Sequence, residues 1–211
     1  EIATWMPGYK ELSVGNHLFM TIQWMLSSFA NEGKAFFIAI WAAGFLLLVK
    51  SKKAKVYQSL AVVFSVVALL PYAGISFFSE MGIGYIDIEQ CLTELPTWQT
   101  MTTQNRIAFF WWIAAVLFTL VLLWKVTGHS VFISMVFLGG IASEAVLHFS
   151  PTIYASGARV YYLTDLMYLF IILWMVMRMD SEKKKNLFIA GAAALGIINF
   201  LSQYSIMLLK L

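Results

Sequence analysis

Residues 131–177 read VFISMVFLGGIASEAVLHFSPTIYASGARVYYLTDLMYLFIILWMVM, two long apolar runs around one polar centre. The runs, Val131–Phe149 and Val160–Met177, have the length of helices that cross a bilayer, for which about 17–25 apolar residues suffice. The centre, HFSPTIYASGARVYYLTD at 148–165, gathers a histidine, a proline, a glycine, an arginine and an aspartate, with Glu144 just upstream. A chain that avoids charge on both sides and collects it here is expected to fold as a helical hairpin with a polar turn.

The rest of the chain repeats the pattern. Of 211 residues, 61% are apolar and 12% charged, and the mean hydropathy is +0.79. Further apolar runs are expected to span at Val56–Ser79, Ile107–Trp124 and Leu187–Leu209, with a shorter one at Ala35–Val49. The fold class expected is all-α: a polytopic helical membrane protein with about six transmembrane helices, forming one transmembrane domain over 1–211. A soluble bundle is disfavoured, because buried helices rarely run to 18 residues without charge. The helices differ too much in length and polarity to be two copies of one repeat.

Charge sets the orientation. Lys50, Lys52, Lys53 and Lys55 fill one connection, Lys125 and His129 mark a second, and Arg178, Lys183, Lys184 and Lys185 fill a third. All three fall on one side, which the positive-inside bias assigns to the cytoplasm. The acidic connection, with Glu80, Asp87, Glu89 and Glu94, and the turn at 150–158 then face outward, as does the C-terminus. In the long outer loop, 80–106, Ile88, Cys91, Leu92 and Leu95 are spaced as one face of a short amphipathic helix ended by Pro96. That loop is either a lid or a solvated connection. Trp98, Trp111 and Trp112 are expected at the headgroup level. Residues 1–34 form an outer, re-entrant or short spanning segment, with an apolar stripe at Val14, His17, Leu18, Thr21, Ile22, Met25, Leu26 and Phe29.

Polar residues inside the runs are few. Ala192, Gly196, Asn199 and Gln203 make a seam suited to helix packing. Pro71 and Gly74 imply a kink. Glu144 precedes Ser150 by six residues and Asp165 follows Arg159 by six, so both carboxylates lie about 9 Å below the turn on adjacent helices. A carboxylate in hydrocarbon costs ~2.5–3.5 kcal/mol on insertion scales, so such groups face a bundle interior or a polar cavity. Glu144 shares a face with His148, and Arg159, Tyr162 and Asp165 share another. Arginine's fork matches phosphate, and Ser150, Thr152, Ser156 and Gly157 add hydroxyls and turn amides. A partly dry carboxylate has raised proton affinity and suits general-base work, which makes Glu144, Asp165 and His148 the candidate catalytic groups. The structural alternative is a clasp in which Arg159 pairs with Glu144 or Asp165.

The stretch SPTIYASGARVYY, 150–162, resembles the outer Ser-Pro-Thr…Ser-Gly-x-Arg turn between two spans in the C-terminal halves of bacterial polytopic proteins. These stand with or near the GT-C-type glycosyltransferases and O-antigen modification proteins. The resemblance covers about 20 of the 211 residues and the topology around them. It implies a polyprenyl-phosphate-linked sugar as partner and sugar transfer at the outer face of a bacterial inner membrane. Ser150, Pro151, Thr152, Ser156, Gly157 and Arg159 are its implied carrier-phosphate contacts. The family's acidic residue in the first outer loop has no counterpart: the chain holds no adjacent pair of acidic residues. Beginning at Glu1, the chain is expected to be the C-terminal part of a longer protein. Two other functions stay open, a proton-coupled transporter or flippase and a non-catalytic scaffold.

Other classes find no support. GxxxxGK[ST], HExxH and GxSxG are absent, the three histidines form no close ligand pair, and a single cysteine forms no internal disulfide. No metal or cofactor is expected. The lysines sit as loop anchors facing anionic lipid, so membrane lipid and not nucleic acid is the expected partner.

Overall fold

The computed structural model describes residues 12–70, 98–99, 103–128, 130–148 and 161–209. Among them the chain forms seven α-helices and no strand: α1 Val14–Ser28, α2 Lys34–Leu48, α3 Lys55–Leu69, α4 Thr103–Val126, α5 Val131–His148, α6 Tyr162–Met177 and α7 Glu182–Leu209. The protein is all-α. The expected helix at 88–95, Cys91, and the kink at Pro71 and Gly74 lie outside the described residues.

Local chemistry fixes the helix ends. The Ser13 hydroxyl accepts from the Asn16 amide at 3.2 Å and starts α1. Gly128, at φ +65°, turns the chain after α4 in the left-handed conformation that glycine adopts without strain. The Thr127 hydroxyl then accepts from the Ser130 amide at 3.1 Å, just ahead of α5. After α2, the Gln58 side-chain amide donates to the carbonyls of Leu48 at 2.6 Å and Ser51 at 3.1 Å.

Between α1 and α2 the chain passes through a π-helical turn, Phe29–Gly33. The Phe29 and Phe37 rings lie 5.1 Å apart, although eight positions along a straight helix cover about 12 Å. The chain therefore bends at the π turn, a recognised cause of helix kinks. The bend brings the second half of α1 against α5 and α4, with Met20, Trp24, Leu26 and Phe29 buried. The stripe read from the sequence is buried only in this half; Val14 and Leu18 are exposed.

Phe37, fully buried in α2, is the hub of the core. Its ring lies 5.1–6.1 Å from Phe29, Trp41, Trp112, Phe137 and Tyr168, joining the π turn, α2, α4, α5 and α6. The closest helix pairs are α2 with α3 and α5 with α6. In the second pair a Cβ on Gly140 would stand 2.9 Å from Tyr168 Cε1, so only glycine allows this approach.

The basic connections meet at one end of the bundle. Asp180, after α6, pairs with Lys50, after α2, at 2.7 Å and with Lys184, in α7, at 2.8 Å. At the end of α4, Lys125 lies 6.0 Å from the ring centre of Tyr57, at the start of α3. Trp98 sits at the opposite end, against Phe19, Phe109 and Phe110, with its carbonyl accepting from Arg106 at 3.0 Å.

The outward faces are apolar. Val56, Val63 and Val66 of α3, Phe110, Leu117 and Val121 of α4, and Leu163, Leu169 and Leu173 of α6 are all exposed. One helical stretch among the described residues, Arg106–Val126, is by itself long and apolar enough to cross a membrane. The helices α2, α3 and α6, of 15, 15 and 16 residues, rise about 22–24 Å, short of a ~30 Å hydrocarbon core.

Candidate functional site

The site forms where α5 and α6 close against each other at the end opposite the basic loops. Gly140 and Glu144 are one turn apart on α5 and share a face. The small residue lets α6 approach, and that approach carries the carboxylate inward. Glu144 is 2% exposed. From α6, Thr164 is fully buried and its hydroxyl donates to the Gly140 carbonyl at 3.3 Å.

Tyr168, one turn further along α6, is 1% exposed. Its ring is enclosed by Phe29, Phe36, Phe37 and Phe137 at centroid distances of 5.7–6.4 Å. Its hydroxyl has no hydrogen-bond partner among the described residues. The carboxylates of Glu144 and Asp165 both act on that hydroxyl electrostatically. Buried tyrosine hydroxyls usually find a partner, so this one marks an unmet demand for a polar group. Gln23, buried on α1, carries a second such atom: its Oε1 has no partner among the described residues. Thr21, Ser27 and Ser28 are buried beside it in sequence, which gives α1 a polar inner half.

Helical phase sorts the remaining candidates. The buried positions of α6 are Thr164, Tyr168, Ile171, Ile172 and Met175. Asp165 stands at the edge of that face and is half-buried. Tyr162 lies about 200° around the helix from Thr164 at 100° per residue and is 68% exposed. The expected face of Arg159, Tyr162 and Asp165 is thus divided: Asp165 joins Glu144 around Tyr168, and Tyr162 points away. His148 ends α5 one turn beyond Glu144, and its side chain lies outside the description. Ser150, Pro151, Thr152, Ser156, Gly157 and Arg159 lie outside the described residues.

Sequence reasoning missed Tyr168, Thr164, Gln23 and Gly140. The available signal was spacing: Tyr168 continues the three-residue step from Tyr162 through Asp165, and Gly140 stands one turn before Glu144. Polar groups nearer the basic end are satisfied locally. The Thr119 hydroxyl accepts from Trp41 Nε1 at 2.8 Å and donates to the Ala115 carbonyl at 2.7 Å, and Ser134 donates to the Ser130 carbonyl at 3.2 Å. Among the described residues no three histidine, cysteine, aspartate or glutamate side chains cluster as metal ligands.

No family model, curated protein or solved structure matches the chain.

Proposed function

We propose that the chain is a polytopic membrane protein of envelope glycan assembly, with a head-group site for a lipid-linked, phosphate-bearing sugar at its outer end. The observation that carries this reading is Glu144: a carboxylate 2% exposed, beside a buried tyrosine hydroxyl with no partner among the described residues. Within a membrane, an ionisable group so placed is by default a functional-site hypothesis. The membrane part of the reading draws support from the exposed valines, leucines and phenylalanines around α3, α4 and α6, which suit a lipid-facing surface. The basic end faces the cytoplasm in this reading, by the positive-inside bias.

The chemistry rests on the resemblance of 150–162 and on the groups of the Glu144 layer. Arg159 and the turn hydroxyls would hold the carrier phosphate. Glu144, with Asp165 beside it, would take the proton from an acceptor hydroxyl as that oxygen bonds to the sugar's anomeric carbon. The bond from that carbon to the phosphate oxygen then breaks, and the phosphate leaves on its carrier. Tyr168 would donate a hydrogen bond to the bound sugar. A transporter needs polar groups through both halves of the bundle, and the satisfied hydroxyls of Thr119 and Ser134 weigh against that path.

Native mass spectrometry of the protein from its own membranes tests the proposal, with wild type beside Arg159→Ala and Glu144→Gln. The wild type should carry a polyprenyl-phosphate adduct. Arg159→Ala should lose it, and Glu144→Gln should keep the lipid and lose sugar transfer. Adducts that ignore both substitutions, with Arg159→Gln costing only stability, would reduce the turn to a structural clasp.

A further inference from the structure

A second feature lies on the far side of α2. A cavity of about 530 Å³, open to the side, runs between α2, α3 and α7. Its wall is aliphatic and aromatic apart from the Ser65 hydroxyl, and the Trp41 indole N–H is turned away to Thr119. Along α2 it reaches from Ile38 to Leu46 and along α7 from Leu187 to Ile198, about 12–16 Å of helix rise. α7 closes it loosely. An added Cβ on Gly191, a wall residue, or on Gly196 would meet nothing within 4 Å. The seam expected at Ala192 and Gly196 is therefore half covered: Ala192 faces the cavity and Gly196 is exposed.

Charge stands at one mouth of this groove. Lys183 precedes Leu187 by four positions and Lys55 precedes Val62 by seven, so each shares the face of its helix that lines the groove, at the basic end. Both lysines are exposed, and neither is ion-paired with another described residue. Lys50 and Lys184, by contrast, are engaged by Asp180. An apolar slot that runs along the helices to two cations unpaired among the described residues has the complementarity of one amphiphile.

We propose that the groove seats an acyl chain of an anionic phospholipid from the basic-end leaflet, with Lys55 and Lys183 holding its phosphate. This rests on the membrane reading above but not on the head-group site at Glu144. Apolar burial holds the chain, and near-surface lysines attract the anionic head. The lipid would act as a wedge that completes the packing of α7.

The test is native mass spectrometry of detergent-purified protein titrated with phosphatidylglycerol or phosphatidylcholine. Wild type should retain one phosphatidylglycerol in preference to phosphatidylcholine. Gly191→Leu places a side chain in the groove without a backbone clash, and should lower that adduct about tenfold at fixed lipid. Ala194→Leu, also on the wall, should act in the same direction and guards against a folding defect peculiar to one variant. Lys55→Gln with Lys183→Gln should leave total lipid binding in place and cut the preference for phosphatidylglycerol about fivefold. Equal adducts in Gly191→Leu and wild type, or a dimer whose mass appears in place of the lipid, would overturn the proposal. If the protein is instead released from membranes by carbonate, the membrane reading fails and this one fails with it.

Discussion

The two ends of the bundle handle charge in opposite ways. At the basic end the ionic groups stay in water: Asp180 is exposed and holds Lys50 from the connection after α2 and Lys184 from the first turn of α7. At the other end the Glu144 carboxylate is drawn out of solvent, 2% exposed, in the layer that also holds Gly140, Thr164 and Tyr168. Exposed pairs contribute little and are screened by salt. A buried carboxylate carries a desolvation cost that a fold retains only where something repays it. Among the described residues Glu144 is the buried carboxylate, and its layer is for that reason the candidate site.

Substitutions sharpen the contrast. The largest effect is expected from Gly140→Val, which drives a branched side chain into the Tyr168 ring. Overpacking of this kind costs about 1–3 kcal/mol, read as a lowered melting temperature in detergent. Gly44→Ala extends the comparison: its Cβ would come 2.7 Å from Leu122 Cδ2 and 3.0 Å from Leu122 Cγ, in a fully buried side chain, so a loss in the same range of about 1–3 kcal/mol is expected. Thr164→Val removes the hydrogen bond to the Gly140 carbonyl and should cost about 1 kcal/mol by the same melt.

Tyr168→Phe separates a structural hydroxyl from a ligand-binding one. Without ligand, removing a hydroxyl that has no partner among the described residues should change stability by less than about 1 kcal/mol, in either direction. The polyprenyl-phosphate-sugar adduct, in contrast, should weaken. A large stability loss without ligand would mean that the hydroxyl is bonded within the fold.

The smallest effect belongs to the basic end. Hydrogen bonds from Lys184 and Lys50 hold the Asp180 carboxyl well below the usual carboxylate range. Its contribution is therefore complete above the ordinary value near ~3.9 and is lost only as the pH falls through the lowered one. Asp180→Asn should give a slight drop in melting temperature that is constant from about pH 8 to 5 and is erased by high salt. A drop that varies across that range would assign the pH dependence to another group.

Much of the fold was legible in the sequence, because apolar runs and basic connections report helices and their common end directly. The bend at Phe29–Gly33 was not, since a π turn leaves no mark in hydropathy. The apolar stripe of α1 likewise concealed that Gln23 and Ser27 are buried in the bundle. Of the candidate site, Glu144 and Asp165 could be found by charge alone. Tyr168 and Gly140 read as ordinary residues of apolar helices, and their role depends on the approach of α5 to α6. Tyr162, expected on one face with Asp165, is 68% exposed, because a three-residue step drifts around the helix and the face that packs is set by Thr164 and Tyr168.

The central claim is that these two ends face opposite sides of a bilayer, with the Glu144 layer outermost. Labelling with a membrane-impermeant maleimide tests it in a Cys91→Ser background, with Gln99→Cys at the Trp98 end and Ser51→Cys beside Lys50. Gln99→Cys should react in intact cells and Ser51→Cys only after the membrane is opened. Reaction of both sites in intact cells, or of neither, would contradict the account.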